Sequence, residues 1–206
     1  MSFFYEPQMI IDVNRINEKF GYTTIIETGT HTGQSTTYLA DRFEKVYTCE
    51  VYDKYFLEYD EVFKNYTNIK VLKGSSVDCL PKFFDEIGND KFILYLDSHW
   101  AENCPIYDEL EIVANFNYKP IIMIHDFDCG FPPPTKNELG HPISEGWQFN
   151  DFKMPDGNYH LLDYNHMKPY MDKIYGQDGY FFETSKEAQT LSRGDLRGCG
   201  FFYPKF

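Results

Sequence analysis

Residues 23–33 read TTIIETGTHTG, a β-branched apolar run that ends at a glycine-rich turn. The run predicts a buried strand over 23–29, and the pattern that follows predicts a helix over 33–43. Short apolar runs alternate with helical patterns on both sides of this unit. Further strands are expected at 45–51, 68–74, 91–97 and 119–126, and further helices at 9–19, 53–66, 76–87 and 105–115. This alternation predicts an α/β fold in which a parallel sheet carries helices on both faces.

The composition of the sequence changes after the fifth predicted strand. Residues 129–178 are rich in proline, glycine and aromatic residues, with one helical pattern inside 159–174. Long irregular segments in compact domains are commonly functional lids, so we expect a lid or an acceptor-binding insertion here. Two late apolar runs, 179–184 and 198–204, lie close together in the chain. Their spacing predicts an antiparallel end to the sheet.

Composition limits the class of protein. With 206 residues, 42% hydrophobic and 25% charged, the chain suits a single globular domain, 1–206. Its net charge of −13 repels polyanions, so neither nucleic acid nor an anionic membrane is an expected partner. The chain opens without a basic leader or a spanning segment, and its five cysteines form no CxxC pair. These features predict a cytoplasmic protein with reduced thiols, and they leave the oligomeric state open, a homo-oligomer included.

Acidic and small polar residues stand where the first three predicted strands end. Ligands of an open parallel sheet bind beyond these ends. Glu27 and its glycine turn suit a cationic amino-acid group better than a phosphate, although turn glycines alone are also explained by the turn itself. Glu50 ends the second strand, where an acid can accept both hydroxyls of a ribose, and Ser75 and Ser76 can bond to a purine edge. This combination points to S-adenosylmethionine. The candidate cofactor-binding residues are Glu27, Thr28, Gly29, Thr30, Gly33, Ser35, Glu50, Ser75, Ser76 and Asp97.

Carboxylates and imidazoles follow the fourth and fifth predicted strands. Two acids with an imidazole can hold a divalent cation and leave positions open for oxygens of the substrate. The expected ligands are Asp97 and Asp126, with His125 or Asp128 as a further ligand. His99, beside Asp97, is the candidate general base, because imidazole titrates near neutral pH. The alternative is that the two aspartates cap the helices that follow them.

Together these motifs resemble a known family. ETGTHTG, Glu50 and GSS, then LDSH with YDELEIV, and finally IIMIHDF resemble the class I S-adenosylmethionine-dependent methyltransferases over residues 22–128. The narrower resemblance is to the metal-dependent macrocin O-methyltransferase and cephalosporin-hydroxylase group. It implies a Rossmann-like fold whose seven-stranded sheet is mostly parallel with an antiparallel last strand. The cofactor contacts that it implies are at Glu27, Gly29, Gly33 and Glu50, with a magnesium-type ion at Asp97 and Asp126 and a base at His99.

The resemblance also defines an expected function. It is O-methylation of a small acceptor, a sugar or a glycosylated metabolite, by S-adenosylmethionine with the help of Mg2+ or another divalent cation. One alternative is a nucleotide-dependent Rossmann enzyme, an oxidoreductase or a nucleotide-sugar enzyme, which the missing GxGxxG opposes. The other is a non-catalytic binding module whose aromatic residues form a partner surface. Aromatic side chains that could stack on an acceptor ring are Trp100, Phe131, Trp147 and Phe149.

Overall fold

A computed structural model of the chain describes residues 7–99, 104–128, 135–136, 142–143, 162–184 and 198–205. The helices are α1 (Pro7–Phe20), α2 (Gln34–Ala40), α3 (Asp53–Phe56), α4 (Tyr59–Val62), α5 (Ser76–Ile87), α6 (Ile106–Ala114) and α7 (Tyr164–Tyr175). The strands are β1 (Thr24–Thr28), β2 (Lys45–Glu50), β3 (Ile69–Lys73), β4 (Phe92–Leu96), β5 (Ile121–His125), β6 (Thr135–Lys136), β7 (Pro142–Ile143), β8 (Tyr180–Thr184) and β9 (Cys199–Pro204).

Seven strands form one sheet in the order β3-β2-β1-β4-β5-β9-β8. All neighbouring pairs are parallel except those of β9, which runs antiparallel to both β5 and β8. The predicted sheet is therefore confirmed, including its antiparallel end. Thr28 pairs with Cys49 on one side and with Leu96 on the other. The residues that follow these three, which are the turn glycine of β1, Glu50 and Asp97, thus lie at the same level, at the carboxyl ends of the strands.

Helices cover both faces of the sheet, as the sequence predicts. Successive strand residues point to opposite faces, so Ile25 joins one apolar core and Ile26 the other. The core that contains Ile25 receives side chains from α1 and α2, whereas the other receives them from α5, α6 and α7. This double coverage explains why β1, β4 and β5 are buried along their whole length.

One predicted element is wrong. The helix expected over 53–66 is two separate short helices, α3 and α4. The apolar residues of this segment do not share one buried face, because Leu57 is 78% exposed while Tyr59 is 5% exposed. An amphipathic helix needs one apolar face that is buried along its length. The apolar pattern of 53–66 suggests such a face, but the fold does not bury it as one.

The segment expected to form a lid is described only in part. Thr135–Lys136 pairs antiparallel with Pro142–Ile143, and the helix predicted within 159–174 is confirmed as α7. Met167 and Met171 of α7 are fully buried in the core. A lid over the remaining residues stays a prediction, and the four stacking candidates Trp100, Phe131, Trp147 and Phe149 lie outside the described residues.

The described part of the chain contains no helix that is long and apolar enough to cross a membrane. Four of the cysteines fall in this part, and none of them forms a disulfide there: Cys49, Cys79, Cys104 and Cys199.

Candidate cofactor and acceptor site

The turn after β1 packs directly against the chain that leaves β4. Gly29 has a φ of 88°, and a Cβ there would lie 2.6 Å from the carbonyl oxygen of Asp97, so only glycine fits. The backbone N–H of Asp97 donates to the carbonyl and to the hydroxyl of Thr28, at 3.2 Å each. Gly33, with a φ of 76°, precedes α2, and a Cβ there would lie 2.7 Å from the ring of Phe63. The turn and the β4 end therefore form one packed unit.

Glu27 lies beneath this turn and is completely buried. Its Oε2 accepts hydrogen bonds from Thr36 at 2.5 Å and from Thr48 at 3.0 Å, and Thr48 also bonds to Thr30. Among the described residues its Oε1 accepts none. Burial raises the pKa of Glu27 to about 7, although the hydroxyls of Ser35, Thr36 and Thr48 act in the opposite direction. A cation above the turn would favour the ionised form.

Glu50, at the end of β2, is fixed by backbone amides. Its Oε2 accepts the N–H of His31 at 2.8 Å, and its Oε1 accepts the N–H of Tyr52 at 2.8 Å. Each carboxylate oxygen has a second lone pair, so both can accept a further hydroxyl from a ligand. His31 adopts a left-handed φ of 49°, and its carbonyl accepts the hydroxyl of Tyr59 at 2.7 Å. Sequence reasoning gave His31 no role, and its residue type does not signal this backbone contact.

The hydroxyls of Ser75 and Ser76 form hydrogen bonds with other residues of the chain. Ser75 caps α5, where its hydroxyl accepts the N–H of Asp78 at 3.2 Å and donates to the Asp78 carboxylate. Ser76 is buried and donates to Ser98 at 3.3 Å, and Ser98 donates to Glu109 of α6 at 2.6 Å. Burial raises the pKa of Glu109. Glu109 lies in the YDELEIV motif, but sequence reasoning assigned it no role because a buried acid cannot be distinguished there from a surface one.

The predicted metal and base residues form one cluster at the ends of β4 and β5. Asp97 Oδ1 lies 2.6 Å from His125 Nδ1, and the hydroxyl of Tyr95 donates to Asp97 Oδ2 at 3.0 Å. Asp126 lies beside both imidazoles, with its oxygens 3.4 Å from His99 Nε2 and 3.5 Å from His125 Nε2. The expectation that strand ends bring these side chains together is thus met.

The cluster contains a group with the spacing of metal ligands. One ligand atom each of Asp97, His99 and His125 lies within 4.8 Å of the others. Two of these are expected ligands, and the third is the expected base. Burial lowers the pKa of His99, but its hydrogen bond with Asp126 and the surrounding carboxylates outweigh burial and leave the pKa raised. Two imidazoles and one carboxylate do not fit Mg2+, which prefers oxygen ligands.

Of the comparisons with known proteins, the one with solved structures identifies the fold. No protein-family model matches the sequence, and no curated protein matches it. Among solved structures, the methyltransferase domain of bacterial CtHen1 is 14% identical, with a TM-score of 0.57 over 95% of this chain and 97% of that one. A putative caffeoyl-CoA O-methyltransferase from Staphylococcus aureus is 11% identical, with a TM-score of 0.55 over 96% and 83%.

A third similar structure is the N-terminal domain of EvdMO1 with S-adenosylhomocysteine bound. It is 15% identical, with a TM-score of 0.53 over 93% of this chain and 77% of that one. Structural matches at such low sequence identity support a shared fold only, so the activity has to be argued from the site. The strand order, the antiparallel β9 and these matches together identify the fold of the chain as the Rossmann-like methyltransferase fold.

Proposed function

We propose that this protein transfers the methyl group of S-adenosylmethionine to a hydroxyl of a small acceptor. The observation that carries the proposal is the alignment of Gly29, Glu50 and Asp97, which lie at one level at the carboxyl ends of three neighbouring strands. These strands surround the point where the strand order reverses, and ligands of open α/β sheets bind at such points. The bound S-adenosylhomocysteine of one similar structure supports the same cofactor class.

The residues around the turn suit the two ends of this cofactor. The fixed carboxylate of Glu50 can accept the ribose hydroxyls through its remaining lone pairs. The buried carboxyl of Glu27 and the turn at Gly29 favour the cationic amino-acid end, because a positive charge would offset the cost of ionising Glu27. Ser75 and Ser76 lie at the start of α5, at the border of the same region.

The reaction needs a group that takes up a proton. The acceptor oxygen forms a bond to the methyl carbon while the carbon–sulfur bond breaks, which leaves S-adenosylhomocysteine and one proton. His99 can take this proton, since its ring lies at the β4 end with Asp126 3.4 Å away. The main contribution of the protein would be to position the two reactants.

The acceptor class rests on the resemblance to the macrocin O-methyltransferase and cephalosporin-hydroxylase group, which favours a sugar or a glycosylated metabolite. The net charge of −13 favours such a small acceptor over a polyanion. A dinucleotide-dependent enzyme is a weaker candidate, because its sheet is typically parallel in the order 3-2-1-4-5-6, without the antiparallel insertion that β9 makes here.

Calorimetric titration with S-adenosylmethionine, S-adenosylhomocysteine and NAD tests the cofactor. We expect both adenosyl ligands to bind and NAD not to bind. Glu50→Gln should weaken S-adenosylhomocysteine binding by about tenfold or more, because bonds to a charged acceptor are lost. Glu58→Gln, at an exposed position near Glu50 in the chain, is the matched control. Binding of NAD alone, or of none of the three, would overturn the proposal.

Formation of S-adenosylhomocysteine with a panel of monosaccharides and glycosides tests the acceptor. Turnover above the rate without acceptor would support O-methylation. Cofactor binding without turnover on any hydroxylated acceptor would favour the non-catalytic module.

A further inference from the structure

We propose that Asp97, His99 and His125 bind a divalent transition-metal ion of the manganese, iron or zinc class, in preference to magnesium. The inference rests on the proposed function for the role of the ion in methyl transfer. Binding of the ion is a separate matter, because it depends only on the three side chains. This ligand set keeps Asp97 and His125 of the set expected from the sequence and replaces Asp126 with His99.

The first support is the geometry of the three side chains. Their ligand atoms lie within 4.8 Å of one another, and a metal with bonds of about 2.0–2.2 Å needs ligand atoms about 3–3.5 Å apart. The imidazoles of His99 and His125 are 2% and 3% exposed, whereas the Asp97 side chain is 21% exposed. The group is thus buried on the imidazole side and reaches solvent at the carboxylate, where a substrate oxygen could approach.

The second support is the set of groups that hold these ligands. Tyr95 donates to Asp97 Oδ2 at 3.0 Å and so fixes the plane of the carboxylate. The Asp126 carboxylate contacts both imidazoles, and histidine ligands of metals are commonly oriented by such a carboxylate. Asp126 holds this position with a left-handed φ of 54°. Non-glycine residues rarely adopt that conformation, and it is concentrated at functional sites.

The nature of the donor atoms selects the metal. Magnesium binds carboxylates, phosphates and water in octahedral sites and takes nitrogen ligands poorly. Imidazole suits zinc, iron and related ions, and two histidines with one carboxylate form a common site for them. The sequence-based expectation of magnesium rested on two carboxylates, whereas the structure groups two imidazoles with one.

The site has a consequence for His99. A ring nitrogen that binds a metal cannot also accept the proton of the acceptor hydroxyl, so the metal and the base roles of His99 exclude each other at that atom. With an ion bound, its positive charge would lower the cost of forming the acceptor alkoxide, and the proton would pass to solvent, which the group reaches at Asp97.

Metal titration of the full chain tests the inference. The protein is first freed of metal with a chelator and is then titrated separately with MnCl2, ZnCl2 and MgCl2 by calorimetry. We expect one equivalent of Zn2+ and of Mn2+ to bind, each at least about tenfold more tightly than Mg2+, with Zn2+ above Mn2+. The visible spectrum of added Co2+ should show nitrogen coordination.

Three variants assign the site. Asp97→Asn and His125→Asn should each weaken Zn2+ binding by at least about tenfold. Asp97→Asn conserves shape at a partly exposed position, so it serves if the buried His125 variant fails to fold. His166→Asn is the control, because His166 pairs with Asp163 at the start of α7 and lies outside the group. Circular dichroism of the metal-free variants checks that each is folded.

Equal binding of Mg2+ and Zn2+, no stoichiometric binding of any ion, or full Zn2+ affinity in a folded Asp97→Asn variant would overturn the inference. S-adenosylhomocysteine binding to the metal-free protein is measured in parallel. If it binds but no metal does, the metal site is wrong and the proposed methyl transfer stands. If metal binds but no adenosyl ligand does, the proposed function fails and the metal site stands.

Discussion

The carboxylate of Glu50 accepts the backbone amide of His31 across a hydrogen bond of 2.8 Å. His31 belongs to the turn after β1, and Glu50 ends β2, so the bond ties the turn to the strand beside it. The hydroxyl of Tyr59 donates to the carbonyl of the same residue, His31, at 2.7 Å. The conformation of the turn therefore depends on residues from three parts of the chain.

The Tyr59 contact predicts a stability effect. Tyr59→Phe removes a buried donor and leaves the His31 carbonyl without it, so the free energy of unfolding should fall by about 1–2 kcal/mol. Tyr55→Phe is the matched control, because the Tyr55 hydroxyl bonds to the ring of His31 at an exposed site. It should cost less than about 0.5 kcal/mol. Urea unfolding measures both, and equal losses would contradict the assignment.

The buried Glu27 predicts a pH dependence of stability. Its pKa is raised from 4.5 to about 7, chiefly by burial, so between these values the folded state binds more protons than the unfolded state. The free energy of unfolding should therefore fall as pH rises from about 4.5 to 7, by about 3 kcal/mol from this group. Denaturant titrations of the wild type and of Glu27→Gln across this range measure the contribution. It should be missing in the variant, and parallel profiles would show that Glu27 does not titrate there.

Gly29 predicts a steric effect beyond backbone conformation. Gly29→Ala should destabilise the protein by more than about 2 kcal/mol, because its left-handed φ disfavours alanine and the new Cβ meets the Asp97 carbonyl oxygen at 2.6 Å. Gly21→Ala is the control, since Gly21 has a φ of 63° with nothing within 4 Å of a Cβ. It should cost about 1–2 kcal/mol. Similar losses of stability in the two variants would mean that the backbone at Asp97 moves away from the new Cβ at little cost.

The chain of bonds from Ser76 through Ser98 to Glu109 predicts energetic coupling. Ser98→Ala should cost about 1–3 kcal/mol, because it removes the donor to a buried carboxyl. A double-mutant cycle with Glu109→Gln should show a coupling energy of at least about 0.5 kcal/mol. Ser75→Ala removes the cap of α5 and the bond from Ser75 to Asp78, neither of which involves Glu109, so it should be additive with Glu109→Gln. Additivity of the Ser98 pair would contradict the network.

The sheet could be predicted from the sequence because its strands are continuous apolar runs that end at glycines or acids. The antiparallel end of the sheet was also predictable, since the two late apolar runs lie only about a dozen residues apart, a spacing that suits an antiparallel pair. The helix over 53–66 was not, because the apolar pattern cannot tell which of Leu57 and Tyr59 will be buried. Tyr59 is buried through its contact with the distant turn at His31, which local periodicity does not encode.

Which residues belong to the candidate site was easier to predict than the role of each residue. Strand ends identified Asp97, His99, His125 and Asp126, and register brings them together as expected. Their division into possible ligands and supporting groups depends on side-chain directions that sequence spacing does not determine. The backbone contacts of Glu50 and the buried Glu109 were also beyond prediction, because each arises from packing between separate elements.

The position of β9 determines how the end of the sheet is covered. Cys199 of β9 pairs with His125 of β5, across a long separation in sequence. β8 joins the sheet only through β9. Without β9, the edge of β5 would be open. Long-range pairings of this kind form slowly, and an open edge can pair with other chains. A chain in which β9 has not yet paired therefore exposes the edge of β5 to such contacts, and once paired, β9 covers that edge and links β8 to the sheet.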